Sequence, residues 1–283
     1  MKIRNLGDFI SVLKTELALR SQSFKDGVQP LVREQLARPL IGKPFDNWYR
    51  GERDHTWDLQ PKVFRPPNNY NERDLTNRFR VLSKSRHTQL PDYDNYGLFL
   101  SVMQHYRLPT RLLDWSTSPL IALYFAVEKY VYKPASPPTD ASVWILDPYR
   151  LNQVEIGEST TPSIEGWSVR KFLRSAFTDY GPSSKGFQDS PDDYLNTESN
   201  KVCAVMGAET DARIFAQQGS FTIHASSMPL QFHPNKRQFL RRINIPSSSV
   251  VTIAEEIFLF GFRKSTLFPD LTNLAEDLEA RYK

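Results

Sequence analysis

Segments with the apolar spacing of helices and segments patterned like strands follow each other along this chain in no regular order. Apolar residues repeat at helical spacing in six parts of the chain: 6–17, 72–83, 95–106, 120–127, 249–261 and 271–278. Short aromatic or β-branched runs predict strands at 48–51, 142–146, 213–216, 221–224 and 239–245. Because a doubly wound parallel sheet requires regular alternation, this order predicts the α+β class, with helices flanking a mostly antiparallel sheet.

Several predicted helices begin or end at residues that are typical of helix caps. Ser118 followed by Pro119 predicts a helix start, because a serine side chain accepts from free amides and proline suits the first helical position. Asp8 is a candidate N-cap for the first helix. The helix that starts from a cap near Ser249 is expected to stop at Gly261.

Residues 155–200 differ in composition from the rest of the chain. They are polar and rich in Ser, Asp, Gly and Pro, with a few anchoring aromatics such as Trp167, Phe172 and Phe177. Such a stretch indicates a long loop or insertion without a core of its own. We therefore expect one domain over 1–283.

Composition excludes several classes of protein. No window approaches the roughly 18 uninterrupted apolar residues of a membrane span, so no membrane partner is expected. The first residues lack the apolar region and cleavage site of a signal peptide, which predicts a cytoplasmic protein. The formal net charge of +4 does not by itself demand a nucleic-acid partner.

No metal site is expected from the sequence. The single Cys203 excludes an internal disulfide and a cysteine cluster, and its apolar neighbours predict a buried thiol. The five histidines show no metal-ligand spacing. Phosphate-loop, zinc-protease and nucleophile-elbow motifs do not occur.

Three separated motif segments carry a resemblance to a known family. The first is Tyr49-Arg50-Gly51, the second runs from Gln104 to Ala126, and the third runs from Arg213 to Thr222. Together they resemble the FRG-domain family, named after its first motif, although Tyr49 replaces the usual Phe. Arg107 stands where family members usually carry Gly. The resemblance implies a single bacterial-type FRG domain with core motifs at 48–126 and 211–271.

The order of the motifs is also similar to that of ADP-ribosyltransferases of the arginine-serine-glutamate class. Those enzymes carry an aromatic-Arg-Gly on an early strand and Ser-Thr-Ser on a later one, as in 49–51 and 116–118 here. A helix with Phe-Ala follows, as in 122–126. The resemblance implies their split sheet, NAD as substrate, and ADP-ribosyltransferase or NAD glycohydrolase activity of the toxin or phage-defence kind, with a protein or nucleic-acid acceptor.

The same resemblance implies cofactor-binding roles. Arg50 would contact the phosphates of the dinucleotide with its planar guanidinium, and Arg111 would add a second cation. Tyr49 and Gly51 complete the first motif, where Gly51 would let the backbone approach the nicotinamide. Ser116 and Thr117 would brace the pocket by hydrogen bonds.

The catalytic assignments are His105, Asp114 and Gln218. Gln217 and Gln218 fall where the related enzymes carry a glutamate, and a glutamine orients a ribose hydroxyl without stabilising a cation. Asp114 is the first candidate for the missing carboxylate and Glu52 the second, because an oxocarbenium-like state needs an anion nearby. If neither substitutes, transferase activity is absent. His105 would serve as acid or base, or bind a ribose hydroxyl.

Structural roles are open alternatives for most of these residues. Asp114 is a candidate ion-pair partner for Arg50 or for Arg111, and His105 is equally a core histidine. Ser118 is favoured as an N-cap over a ligand contact. Glu255-Glu256 are expected in the first turn of their helix, where their negative charges would interact favourably with the positive end of the helix dipole.

Two other functions remain open from the sequence. One is a non-catalytic module that binds a nucleotide or nucleic acid through Arg50, Arg107, Arg111 and the basic run 236–242. The other is a phosphoester hydrolase that uses His105 and Asp114.

Overall fold

The structure is a computed structural model that describes residues 3–26, 47–67, 70–86, 90–92, 95–132, 136–173, 176, 201–208 and 212–282. Within these residues the α-helices are α1 (Leu6–Asp26), α2 (Glu72–Ser83), α3 (Tyr96–His105), α4 (Pro119–Val127), α5 (Pro148–Ile156), α6 (Arg170–Leu173), α7 (Ala212–Gln217), α8 (Ser247–Leu259), α9 (Lys264–Leu267) and α10 (Leu271–Tyr282). The strands are β1 (Trp48–Glu52), β2 (Leu112–Ser116), β3 (Ala141–Leu146), β4 (Val202–Met206), β5 (Gly219–His224) and β6 (Leu240–Ile245). The predicted α+β class is confirmed.

The first of two compact units comprises Met1–Trp57, Ser116–Ile145 and Arg241–Lys283. Strands β1, β3 and β6 are neighbours in that order. Tyr49 of β1 pairs in antiparallel register with Ser116, the last residue of β2. Its hydrophobic core joins α1, α4 and α8 to these strands and includes Phe9, Leu123, Ile145 and Ile253, each at most 4% exposed.

The start of α1 differs from the expected capping. Helix α1 begins at Leu6, before Asp8, and the side chain of Asn5 accepts from the backbone N–H of Asp8 at 2.8 Å. The backbone N–H of Leu6 donates to Glu256 at 2.6 Å. The first-turn assignment for Glu255-Glu256 was therefore wrong, because Glu256 lies late in α8 and its carboxylate caps the positive end of a different helix.

The second compact unit comprises Asp58–Trp115 and Leu146–Leu240. Strands β4, β5 and β2 are neighbours in that order, and β4 pairs antiparallel with β5, with Cys203 opposite Ile223. Its separate hydrophobic core includes Phe99, Met103 and Phe172. Cys203 is buried in this core, as its apolar neighbours predicted.

One expectation for the second unit was wrong. Residues 213–216 belong to helix α7, because an apolar run this short fits a helical turn as well as a strand. The 155–200 segment supplies Ile164, Val169 and Phe172 to the hydrophobic core of this unit, where Phe172 was expected as an anchor. Phe177 lies outside the described residues. The single-domain assignment stays a prediction.

None of the described helices is both long enough and apolar enough to span a lipid bilayer.

Candidate active site

A polar cavity lies within the second unit, where the end of α3, β2 and the α7–β5 turn meet. It is a small cavity of about 30 Å³ and is open to solvent. Residues of the second and third motif segments line it: Gln104, His105, Asp114, Trp115, Arg213, Gln217, Gly219, Ser220 and Phe221. Two of the three predicted catalytic residues, His105 and Asp114, therefore share one cavity.

Asp114 presents an exposed carboxylate to this cavity, although its neighbours on β2 are buried. The side-chain amide of Gln104 donates to Asp114 Oδ2 at 2.8 Å. The orientation of that amide is determined by Thr110, whose hydroxyl donates to Gln104 Oε1 at 2.6 Å and accepts from the Leu112 N–H at 3.2 Å. Since Thr110 is fully buried, the carboxylate is positioned by a rigid hydrogen-bonded chain.

His105 is the last residue of α3 and is half-buried. Its ring packs edge-on against Tyr106, with 4.9 Å between the ring centroids. Arg213 Nη1 donates to the backbone carbonyl of His105 at 3.0 Å. The positive charge of this guanidinium also interacts favourably with the negative end of the α3 dipole. Arg213 therefore holds α7 against the end of α3.

Trp115 forms an apolar wall of the cavity and is fixed from behind. Its indole N–H donates to Thr222 Oγ1 at 3.0 Å, and the same oxygen lies 3.0 Å from His224 Nε2. Thr222 and His224 are fully buried. Because Trp115 is anchored at its polar atom, its ring position is set by the core of the second unit.

The two glutamines of the third segment have different positions. Gln217 lines the cavity. Gln218 is exposed and has a backbone φ of 47°, in the turn between α7 and β5, where its N–H donates to the carbonyl of Phe215 at 3.0 Å. The catalytic assignment of Gln218 stays a prediction, but Gln217 is the glutamine that faces the cavity.

Arg111 has a structural role in the second unit. Its Nε and Nη2 donate to Glu72 Oε2 at 3.0 and 2.6 Å, its backbone N–H donates to Glu72 Oε1 at 2.9 Å, and Nη1 donates to the carbonyl of Phe172 at 3.0 Å. Both side chains are almost fully buried. The alternative pairing of Arg111 with Asp114 is replaced by a pairing with Glu72. The phosphate-binding role assigned to Arg111 stays a prediction.

Arg107 ends α3 in a conformation that favours glycine. Its φ is 64°, and its N–H donates to the carbonyl of Gln104 at 2.9 Å. The N–H of Leu108 donates to the carbonyl of Met103 at 3.0 Å. These two bonds define a Schellman cap, whose left-handed residue is usually glycine. The geometry explains why an arginine is unusual at this position.

The first motif lies on β1 of the first unit. Arg50 and Glu52, two residues apart, form a part-buried ion pair with 2.6 Å between Nε and Oε1. Glu52, the second candidate carboxylate, is only 4% exposed. Tyr49 is buried in the core of this unit. The binding roles assigned to Tyr49 and Arg50 stay predictions.

Gly51 is required by helix packing. A Cβ at this position would lie 1.8 Å from the carbonyl oxygen of Ala122 and 2.7 Å from the backbone nitrogen of Ala126. The space that glycine leaves open is filled by the backbone of α4. Close packing against α4 is therefore sufficient to explain the glycine at position 51. The expected approach of Gly51 to nicotinamide stays a prediction.

The Ser-Thr-Ser segment runs from the last residue of β2 to the N-cap of α4. Ser118 is its N-cap, with its hydroxyl 3.4 Å from the N–H of Ile121, and Pro119 follows at the first helical position. Ser116 Oγ accepts from the N–H of Ser118 at 3.1 Å. The predicted N-cap is confirmed. Thr117 is exposed, and its binding role stays a prediction, as does that of Ser116.

Gln104 and Arg213 are among the cavity residues that sequence reasoning missed. Both stand within the quoted motif segments, and Gln104 directly precedes His105. Among the described residues no three His, Cys, Asp or Glu side chains gather in a way that could hold a metal ion.

Fold and cavity together define an α+β protein whose second and third motif segments build one polar site. Residues 46–133 match the family model described as FRG domain, so this segment of the chain is an FRG domain. The match includes the first motif segment and the whole second one. Comparison with curated proteins and with solved structures finds no match.

Proposed function

We propose that the cavity of the second unit cleaves the bond between nicotinamide and ribose in NAD, as an ADP-ribosyltransferase or NAD glycohydrolase. The observation that carries this proposal is the exposed Asp114 carboxylate, which Gln104 and Thr110 hold in one orientation. A positioned anion is what an oxocarbenium-like ribose requires, and it substitutes for the glutamate that the third segment lacks.

The reaction follows from the groups around Asp114. The C1′–N bond of the nicotinamide riboside breaks, and its electron pair goes to the ring nitrogen, which neutralises the pyridinium. Asp114 stabilises the cation left on the ribose. Water or an acceptor group then attacks C1′, and His105 removes its proton as general base.

One further wall of the cavity suits another part of this substrate. The amide of Gln217, which lines the cavity, is placed to orient a ribose hydroxyl. The phosphate-binding role of Arg50 stays a prediction.

The test compares release of nicotinamide from labelled NAD by three proteins. Asp114→Asn removes the anion and keeps the shape of the side chain, so the rate should fall by about 10²–10³-fold. Asp74→Asn is the matched control, since Asp74 is an exposed carboxylate of the same unit that pairs with Arg78 at 3.0 Å. Wild-type protein that neither binds NAD nor releases nicotinamide would reject the proposal.

A second variant tests the positioning of the carboxylate. Gln104→Glu removes the amide that donates to Asp114 Oδ2 and places a like charge beside it, so the release of nicotinamide should slow by about tenfold or more. An unchanged rate would mean that this hydrogen bond does not position the carboxylate for the reaction.

The alternative, a nucleotide- or nucleic-acid-binding module, is supported by two stacked arginines of the first unit. The Arg242 guanidinium lies 5.1 Å from the ring centroid of Trp144. That of Arg53 lies 5.5 Å from the ring centroid of Trp57, a residue that is 43% exposed. Basic groups beside aromatic faces suit single-stranded nucleic acid. Binding of an oligonucleotide that weakens steeply with salt and ignores NAD would favour this function.

A further inference from the structure

Helix α10 of the first unit buries polar residues and exposes its large apolar side chains, the reverse of the usual arrangement. Its buried residues are Asn273 and Asp277. Its large apolar side chains face solvent, with exposed fractions of 83% for Leu271, 44% for Leu274 and Leu278, and 87% for Tyr282. A surface helix normally buries its apolar stripe, so this stripe is available to another molecule.

Polar contacts hold α10 in this orientation. Asp277 accepts from the hydroxyl of Tyr132 at 2.7 Å and from the N–H of Ser265 at 2.8 Å. Lys264 forms an ion pair with Glu276 at 2.5 Å. Because these bonds fix the polar face inward, the leucine stripe cannot rotate into the first unit without breaking them.

The end of α8 adds to the exposed apolar surface. Leu259 is 81% and Phe260 69% exposed. The preceding Phe258 lies 5.7 Å from the ring of Tyr132, whose hydroxyl binds Asp277 of α10, so the end of α8 lies near the middle of α10. Side chains exposed to this extent amount to roughly 400–700 Å² of apolar surface, above what single scattered residues produce.

We propose that this surface binds a second copy of the chain, with the two α10 helices antiparallel. Leu271, Leu274 and Leu278 follow the three- and four-residue spacing of a helix-pairing seam. In the antiparallel register that packs Leu274 on Leu278 of the partner subunit, Arg281 comes beside Asp270 of the partner subunit. A parallel pair would instead place like charges and like helix ends together.

The available area also sets the expected strength. Stable complexes bury about 800 Å² on each partner, and weaker, transient ones bury less. A surface of this size therefore predicts a dimer that dissociates in the micromolar range. The dimer is independent of the proposed NAD chemistry, which depends on the cavity of the second unit.

Sedimentation velocity from 1 to 200 µM tests the proposal. The wild-type chain should shift from monomer to dimer, and Leu274→Glu with Leu278→Glu should remain monomeric with an unchanged melting temperature. The matched control is Val81→Glu with Leu82→Glu, since these residues are 61% and 57% exposed on α2; it should still dimerise. A wild-type monomer at 200 µM, or a dimer that survives the Leu274/Leu278 change, overturns the proposal.

A charge exchange tests the register. Arg281→Glu and Asp270→Lys should each weaken self-association at least tenfold, whereas an equimolar mixture of the two should recover a heterodimer. A mixture that stays monomeric contradicts the antiparallel pairing. Vesicles of phosphatidylcholine and phosphatidylserine provide the last arm, because a monomer that sediments with them would assign the stripe to a lipid surface instead.

Discussion

Replacement of Gly51 by alanine tests whether the glycine of the first motif serves packing or ligand binding. The new Cβ would lie 1.8 Å from the carbonyl oxygen of Ala122, and contacts below 3.0 Å essentially do not occur. Helix α4 or strand β1 must therefore move by at least about 1.2 Å. The opposing atoms belong to the backbone of Ala122 and Ala126, so no side-chain rotation relieves the overlap.

The cost follows from the surroundings of α4. Leu123, Ala126 and Val127 on this helix are fully buried, so its displacement disturbs the core of the first unit. Overpacking costs about 1–3 kcal/mol, and a backbone clash belongs at or above the upper end. At about 2–4 °C per kcal/mol for a protein of this size, the melting temperature should fall by roughly 6–12 °C.

Thermal unfolding followed by circular dichroism measures this effect. Gly7→Ala is the control, since its Cβ would lie 3.3 Å from the side chain of Asn5 and alanine favours the helix there by up to about 1 kcal/mol. Its melting temperature should stay unchanged or rise. If Gly51→Ala melts like wild type while NAD turnover or binding is lost, the packing argument is refuted and the ligand role returns.

Three further predictions concern stability and reactivity. Glu72→Gln should lower the free energy of unfolding by about 3–5 kcal/mol in urea, because it leaves the buried Arg111 unpaired; Asp74→Asn, which breaks an exposed pair, should cost under about 1 kcal/mol. Arg107→Gly should raise stability by about 1 kcal/mol, since φ is 64° there; no rise in melting temperature would contradict the strain. Burial raises the pKa of Cys203 to about 12, so a disulfide reagent at pH 8 should modify it only after unfolding; rapid labelling of the folded protein would disagree.

Local signals in the sequence determined much of the secondary structure. Helix α2 has the predicted bounds of 72 and 83, Ser118 caps α4, and Gly261 follows α8 with a φ of 86°. Periodicity and capping involve residues within about four positions of each other, so both can be recognised from a short segment of the sequence. The 213–216 segment failed because its four residues are too few to separate a helical from a strand period.

The cavity and the roles of its residues depend on contacts that the sequence does not display. Glu72 meets Arg111 across 39 positions, and Thr222 fixes Trp115 across 107. Asp114 is the acid closer to Arg111 along the sequence. In the structure Arg111 pairs instead with Glu72, because these two side chains are buried together. Only the tertiary structure shows that Glu72 is buried and that Asp114 is exposed beside Gln104, because packing between distant segments decides which acid is buried.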